Sequence, residues 1–484
     1  MRHALFVIIG GALCGCALWA SATAAQQAGA ARPNVVLIMS DDLGYGDLSS
    51  YGAPDIKTPN IDSIGRDGIR LTDFYANGVL CSPTRAGLIS GRYQQRYAIE
   101  NALGGEGSVV GLVATGRSLP QLLKNNGYAT GLIGKWHLGG KPEFSANAHG
   151  FDYFFGFVAG YIDHYQHNRG PKQPDLWEND RKITQDGYMT DLITARSVRF
   201  IEENVNRPFF LDVAYNAPHW PYQPPDKPSV ALDNARHLQP HDDETSTRAD
   251  YVAMVERVDL GVGEILRTLE RRGLSNNTIV IFTNDNGGEW LSRNAPLFSR
   301  KLTVWEGGIR VPALVRWPGR IPAGRVSDQV GITMDLSASI LAVTNTPVPA
   351  DARLEGVNLF PILEGRAPEV ERTLFWRTNV GNRTQRAVRN GDWKVVVDAT
   401  HVMVFNVRSD IGERNDLANQ RQDIARRLRP LVAAWEDEID AEAMRNVPEF
   451  AALVTPGRGG RGAAPPGGRG AGPPGRGRGG VPGR

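Results

Sequence analysis

The chain alternates continuous apolar runs of strand length with segments of helical period. Asn34 to Met39 is a continuous apolar run, and Tyr128 to Ile133, Phe209 to Tyr215 and Thr278 to Thr283 are mostly apolar without period-two alternation, which suits strands buried on both faces. Between them, Thr58-Pro59 opens a helix, and a second runs from Ser118 to Asn126 until Gly127 ends it. A third spans about Thr190 to Asn204. A fourth, Arg248 to Arg272, carries Val252, Val255, Val258, Leu260, Val262, Ile265, Leu266 and Leu269 at helical spacing and closes at Gly273. Ile69 to Tyr75 is strand-like. Strands alternating with helices over about 300 residues predict an α/β fold, a large doubly wound, mostly parallel sheet.

From about Glu371 the texture changes. Thr373 to Thr378, Gln385 to Arg389, Trp393 to Asp398 and Val402 to Val407 read as short strands at turn-sized intervals, and Gln420 to Ala441 as a helix. This predicts a smaller C-terminal α+β domain, an antiparallel sheet plus one helix. The expected organisation is a leader over 1–24, a large domain over 33–370, the smaller domain over 371–450 and a Gly/Pro/Arg-rich tail over 451–484. Pro224 to Ser246 is polar and reads as a surface loop. The aromatic-rich stretch Gly150 to Tyr165 either packs beneath a long loop or, with Trp177, walls a pocket.

Charge changes the picture at both ends. The net charge of +2 includes Arg2 and six arginines between Pro456 and Arg484; without those seven the body carries −5. No basic face argues for nucleic acid, and the tail lacks the composition of a core, so an RGG-like reading gives way to a solvated tail. Met1-Arg2-His3, the apolar run Ala4 to Trp19 and the small residues Ser21 to Ala25 form an export signal, with cleavage expected after Ala24. The product would be periplasmic or secreted. Leu13-Cys14-Gly15-Cys16 also matches a lipoprotein processing box, which would tether the chain to a membrane at Cys16. After cleavage at Ala24, Cys81 is the one cysteine left, so no intramolecular disulfide can form. A lone thiol in an oxidising compartment is a liability unless it is buried or converted.

Cys81-Ser82-Pro83-Thr84-Arg85 is followed by Ala86 to Arg92. Ser82 suits a helix N-cap, Pro83 the first helical position and Gly91 the left-handed residue after a short helix. Cys81 would then lie just outside a helix N-terminus, where unpaired amides and Arg85 favour an anion. An inert buried cysteine, a low-pKa thiolate and an oxidised residue all remain open on this reading. Asp41 and Asp42, Lys135 and His137, His219, and Asp285 and Asn286 each follow a predicted strand. In an open α/β sheet those ends share one edge, where ligands bind. Adjacent carboxylates there call for a cation. Lys135 and His137, two apart, would face the same way if the strand persists.

Asn-Val-Val-Leu-Ile-Met-Ser-Asp-Asp, Cys-Ser-Pro-Thr-Arg with Leu-x-Ser-Gly-Arg, Gly-Lys-Trp-His-Leu-Gly, Ala-Pro-His, Asp-Asn-Gly-Gly and Glu-Gly-Gly-Ile-Arg-Val-Pro resemble, in order, the motifs of the type I sulfatases of the alkaline phosphatase superfamily. The resemblance runs from about Asn34 to Asn415. It implies that Cys81 is converted to formylglycine by a maturation enzyme, and that Asp41, Asp42, Asp285 and Asn286, with residue 81, bind one calcium ion. It implies that the aldehyde hydrate attacks the sulfur of an aryl or carbohydrate sulfate, held by Arg85 and Lys135. His219 and Lys301 would contact the sulfate and assist the leaving oxygen, while His137 takes the proton that lets the hydrate expel sulfate. Asn284 departs from the pattern, where serine is common. A phosphomonoester or phosphonate hydrolase of the same superfamily, or an exported glycan-binding protein with a dead site, are the alternatives.

Overall fold

The computed structural model describes residues 32–170, 172–227, 246–380 and 383–447. The expected leader with its cleavage after Ala24, the Cys16 lipidation site, most of the Pro224–Ser246 loop and the arginine-rich tail lie outside the described residues.

Eleven strands follow in chain order: β1 (Asn34–Ser40), β2 (Ile69–Leu71), β3 (Phe74–Tyr75), β4 (Ala129–Lys135), β5 (Tyr153–Phe157), β6 (Trp177–Glu178), β7 (Arg181–Lys182), β8 (Phe209–Ala214), β9 (Thr278–Asn284), β10 (Ala313–Arg316) and β11 (Arg325–Ser327). All except β3 join one ten-stranded sheet in the sequence β11-β2-β10-β9-β1-β8-β4-β5-β6-β7. Its centre, β9 to β5, is parallel throughout. β10 runs against both its neighbours, and β6 and β7 add an antiparallel edge.

The uninterrupted apolar runs are explained by helices on both faces. Every residue of β1 is buried. Val35, Leu37 and Met39 pack in one core with residues of α2 (Cys81–Ser90), α3 (Leu119–Asn125) and α6 (Thr333–Val343). Val36 and Ile38 pack on the other face with α1 (Pro59–Arg66), α4 (Met189–Glu203) and α5 (Arg248–Arg271). At ~1.5–3 kcal/mol per fully buried large aliphatic side chain, these two layers hold the sheet's centre rigid. α5 begins with a capping box in which Thr247 and Asp250 exchange side-chain-to-backbone bonds.

The aromatic stretch after Gly150 is a sheet strand. Phe154 packs in the first core, Phe155 and Phe157 in the second, and Trp177 lies beside them on β6, so the rings serve packing. β3 pairs in parallel with β12 (Gly331–Ile332). Then β13 (Thr373–Thr378), β14 (Gln385–Asn390), β15 (Trp393–Asp398) and β16 (His401–Asn406) form an antiparallel meander against α7 (Gln422–Asn446). The indole of Trp376 on β13 donates to the Ala76 carbonyl at 2.8 Å, and Arg92 and Arg96 pair with Glu442 of α7 at 2.7 Å each, so the meander and helix dock against the large sheet's α2 side.

Candidate active site

α2 is buried along its whole length. The Ser-Pro pair predicts Cys81 outside the helix, but Leu80 is the N-cap and Cys81 the first helical residue. The reason is that Ser82 has other partners: its hydroxyl donates to the His137 carbonyl at 2.8 Å and accepts from the Leu103 amide at 2.9 Å. At the far end Gly91 adopts φ +67° and its amide bonds the Gly87 carbonyl, as the sequence predicts. Cys81 Sγ thus sits in the first turn, 3.4 Å from Asp41 Oδ1 and 3.6 Å from Lys301 Nζ.

Around it the ends of β1, β4 and β9 place their charges. Lys135 Nζ lies 2.6 Å from Asp41 Oδ2 with both side chains fully buried. Lys301 Nζ lies 2.7 Å from Asp42 Oδ2. Arg85 reaches Asp285 Oδ2 through Nε and Nη2, at 3.2 and 2.8 Å, and its Nη2 is 3.9 Å from Asp41. Asn286 Nδ2 donates to Asp42 Oδ1 at 2.7 Å, and His219 Nε2 stands 3.4 Å from Asp42 Oδ2. Three carboxylates therefore face three cations in a deeply buried site.

The electrostatics follow from that crowding. Burial, with Asp285 and Cys81 close by, raises the Asp41 carboxyl well above its usual value despite Lys135. Asp42 is held low: burial opposes this, but Lys301, His219 and Lys135 prevail. Asp285 is lowered by Arg85 and Lys135 against the cost of burial. Lys301, though desolvated, is raised by Asp42, Cys81 and Asp41, so it stays charged. Burial pushes His219 down against the pull of Asp42 and Asp41. His137 is pushed well below its usual value by burial, Lys135 and Arg85, so it is neutral near pH 7.

His137 arrives differently from the sequence expectation. The strand stops at Lys135, and His137 adopts φ +57°, so the two residues do not share a strand face. Its Nε2 is 2.9 Å from the Leu103 carbonyl, which can only accept, so Nε2 carries the hydrogen. Nδ1 is buried without a partner. Gly160 makes room for the ring, since a Cβ there would lie 2.7 Å from it.

Residues 33–346 match the sulfatase family, and residues 296–435 match the C-terminal region of N-sulphoglucosamine sulphohydrolase. Human N-acetylgalactosamine-6-sulfatase is 35% identical over 370 residues, 71% of this chain and 68% of that protein. The chain belongs to the sulfatase family. Human arylsulfatase A is 33% identical over 408 residues, covering 77% of this sulfatase and 76% of its own length. The crystal structure of Ps i-CgsB superposes with a TM-score of 0.75 at 31% identity, covering 83% of this chain and 93% of that one, and its complex with k-i-k-neocarrahexaose superposes equally well.

The sulfatase's acidic edge fits a hard divalent cation. Asp41, Asp42 and Asp285 supply carboxylate oxygens, and Asn286 Oδ1 is buried with no hydrogen-bond partner, an orphaned acceptor that a cation would satisfy. Asp41, Asp42, Cys81 and His219 can also each bring one ligand atom within 4.8 Å of the others. A thiolate and an imidazole in that second set would suit a softer metal, but an oxidised residue 81 would offer an oxygen in place of sulfur and would join the hard set, leaving His219 for chemistry. Asn284, the departure from serine, ties two strand ends together: its Oδ1 accepts from Ser40 Oγ at 2.9 Å and Leu43 N at 3.2 Å, and its Nδ2 donates to the Leu43 carbonyl at 2.9 Å.

The residues that follow His219 and Asn286 in the chain divide between packing and polar contacts. Trp220 and Tyr222 are buried in the second core, Trp220 edge-on to Tyr161. Glu289 lies 3.3 Å from Arg300, and the Arg293 amide donates to Asp47 Oδ2 at 2.9 Å. Sequence reasoning overlooked Ser82 as the link between α2 and His137. It also overlooked Asp212, whose signal was one carboxylate in the middle of the apolar run Phe209 to Ala214.

Proposed function

We propose that this sulfatase hydrolyses sulfate esters of carbohydrates through an oxidised residue 81, with calcium held by Asp41, Asp42, Asp285, Asn286 and residue 81 itself. The observation that carries this reading is the placement of Cys81 Sγ between Asp41 and Lys301 in the first turn of a buried helix. A site with three cations and a helix N-terminus favours a sulfuryl group, and the hydrate of an oxidised residue 81 would supply the nucleophile. When bound, calcium would neutralise the carboxylates and polarise the sulfate oxygens.

In the proposed reaction, one hydroxyl of the formylglycine hydrate gives its proton to a neighbouring carboxylate, Asp41 Oδ1 lying 3.4 Å from Sγ of that residue, and attacks sulfur as the bond from sulfur to the sugar oxygen breaks. Arg85, Lys135 and Lys301 stabilise the developing negative charge, and they do so most strongly because they are already fixed in place. His219 or Lys301 delivers a proton to the departing oxygen. His137, neutral and with Nδ1 free, accepts the proton of the second hydroxyl. The carbon–oxygen bond then breaks, sulfate leaves and the aldehyde returns. An exported protein with a host maturation enzyme fits the leader-like first residues. The names of N-acetylgalactosamine-6-sulfatase and of the neocarrahexaose complex support a sulfated sugar, and that of arylsulfatase A makes an aryl sulfate the comparison substrate.

Side-by-side turnover of a 6-sulfated N-acetylgalactosamine, an aryl sulfate and an aryl phosphate, with calcium present, tests the reading. Highest kcat/KM on the sugar sulfate is expected. Preferred turnover of the phosphate would transfer the site to phosphomonoester hydrolysis, and saccharide binding without any turnover would make it a binding protein.

A further inference from the structure

β8 occupies the centre of the sheet between β1 and β4, where Asp212 pairs with Leu37 and Leu132. Phe210 and Ala214, two positions either side, belong to the core beneath α2, so Asp212 projects to that same face. It is 4% exposed, and its Oδ1 is buried without a hydrogen-bond partner. A small cavity of about 10 Å³ lies there between α2 and the sheet, lined by Asp212, Arg85, Lys135, Leu88 and Trp136 among others. That is the space of one water molecule, and a water needs two or more polar partners. Asp212, Arg85 and the Lys135 carbonyl provide them. Arg85 already donates Nη1 to that carbonyl at 3.2 Å and points Nε and Nη2 at Asp285.

We propose that Asp212 is a positioning residue for Arg85, joined to it through a single water in this cavity, and that it holds the guanidinium from the sheet side while Asp285 holds it from the site. Burial pushes the Asp212 carboxyl up to about 7, against the pull of Arg85. Arg85 from α2 and Lys135 from β4 are the charged groups that line the cavity with it; Met39 lines it from β1. While neutral, Asp212 contributes a hydrogen bond and leaves the whole Arg85 charge to Asp285 and the substrate anion. Once ionised, it pairs with Arg85 and weakens its hold on the sulfuryl group.

This inference rests on the sulfatase reading of Arg85, and the test separates the two. In wild-type protein kcat/KM for an aryl sulfate should fall roughly tenfold between about pH 6 and 8, as a single ionisation requires. Asp212→Asn cannot ionise and should lack that limb, whereas Asp212→Leu should lower kcat several-fold at every pH with a smaller change in KM. A merely structural Asp212 would shift the melting temperatures and leave the limb in place. The same comparison is made without turnover by calorimetric titration with inorganic sulfate, whose affinity should weaken over that range in wild type and not in D212N. Superimposable wild-type and D212N profiles in both measurements overturn the proposal. Absence of turnover in both proteins strikes the sulfatase reading instead, and the calorimetry still decides the role of Asp212.

Discussion

Two buried charge clusters in this sulfatase contain the same numbers of acids and bases and are built for different ends. At the sheet edge, Asp41, Asp42 and Asp285 face Lys135, Lys301 and Arg85. Between the large sheet and the meander, Glu306, Glu413 and Asp73 face Lys394, Arg310 and Arg389. In the second cluster the charges are aimed at one another: Lys394 Nζ lies 2.8 Å from Glu306 and 2.9 Å from Glu413, and Tyr75 donates to Glu306 at 2.6 Å. In the first, the same pairing leaves Asn286 Oδ1 and His137 Nδ1 with no hydrogen bond and no opposite charge of their own and places a thiol among the ions, whereas in the second Glu413 Oε1, which also lacks a hydrogen bond, has the Lys394 ammonium 2.9 Å away. A buried ion cluster that closes on itself clamps two elements together; one with orphaned groups is arranged for something that arrives. Both clusters flank the stretch from Lys301 to Arg310, so the interdomain clamp also fixes the segment that carries Lys301.

Breaking the open cluster should abolish chemistry and spare the fold. Cys81→Ser should lose multiple turnover by at least ~10³-fold, because an ester on serine has no route to release sulfate; a burst followed by continued turnover at the wild-type rate would refute the hydrate step. Breaking the closed cluster should do the reverse. Lys394→Met leaves two buried carboxylates without their cation, and unfolding in urea should show a loss of ~3–5 kcal/mol. Equal stability would mean that the cluster is not a clamp.

Calcium sharpens the contrast more gently. Melting temperature should rise with calcium and fall with chelator, by a stabilisation of ~2.7 kcal/mol at a hundred times the dissociation constant. Asp285→Asn should blunt that response and Lys394→Met should not. The smallest effect is a pH dependence in the closed cluster. Burial pushes Glu413 up to about 7, above its unfolded value, while Lys394 pulls it down. A raised carboxyl is at full advantage below its unfolded pKa, and stability is lost as pH rises through about 7. Glu413→Gln should therefore flatten the stability curve between about pH 5 and 8, and an unchanged curve would show that Glu413 is already ionised in the fold.

The strands were legible in the sequence because burial on both faces demands unbroken apolar runs, and β1, β8 and β9 end within one residue of their predicted limits. The edge that collects Asp41, Lys135 and Asp285 followed from strand ends alone. What stayed hidden depends on partners far away in the chain. Ser82 reads as a cap until His137 and Leu103 claim its hydroxyl. His137 reads as a strand residue until the positive φ turns it away. Lys394, Glu306 and Glu413 meet across about a hundred residues of sequence, and no local pattern announces a clamp. Asp212 was visible as an anomaly, but only the register with β4 and the cavity under α2 give it a neighbour.

The central claim is that residue 81 is no longer a cysteine in the working protein. Mass spectrometry of the tryptic peptide carrying position 81, from protein made in its native host, addresses it directly. Conversion to formylglycine removes sulfur and two hydrogens and adds one oxygen, so the peptide should be about 18 Da lighter than the sequence predicts. A peptide of unmodified mass that alkylates fully at Cys81, from a preparation that turns over sulfate esters, would contradict the account.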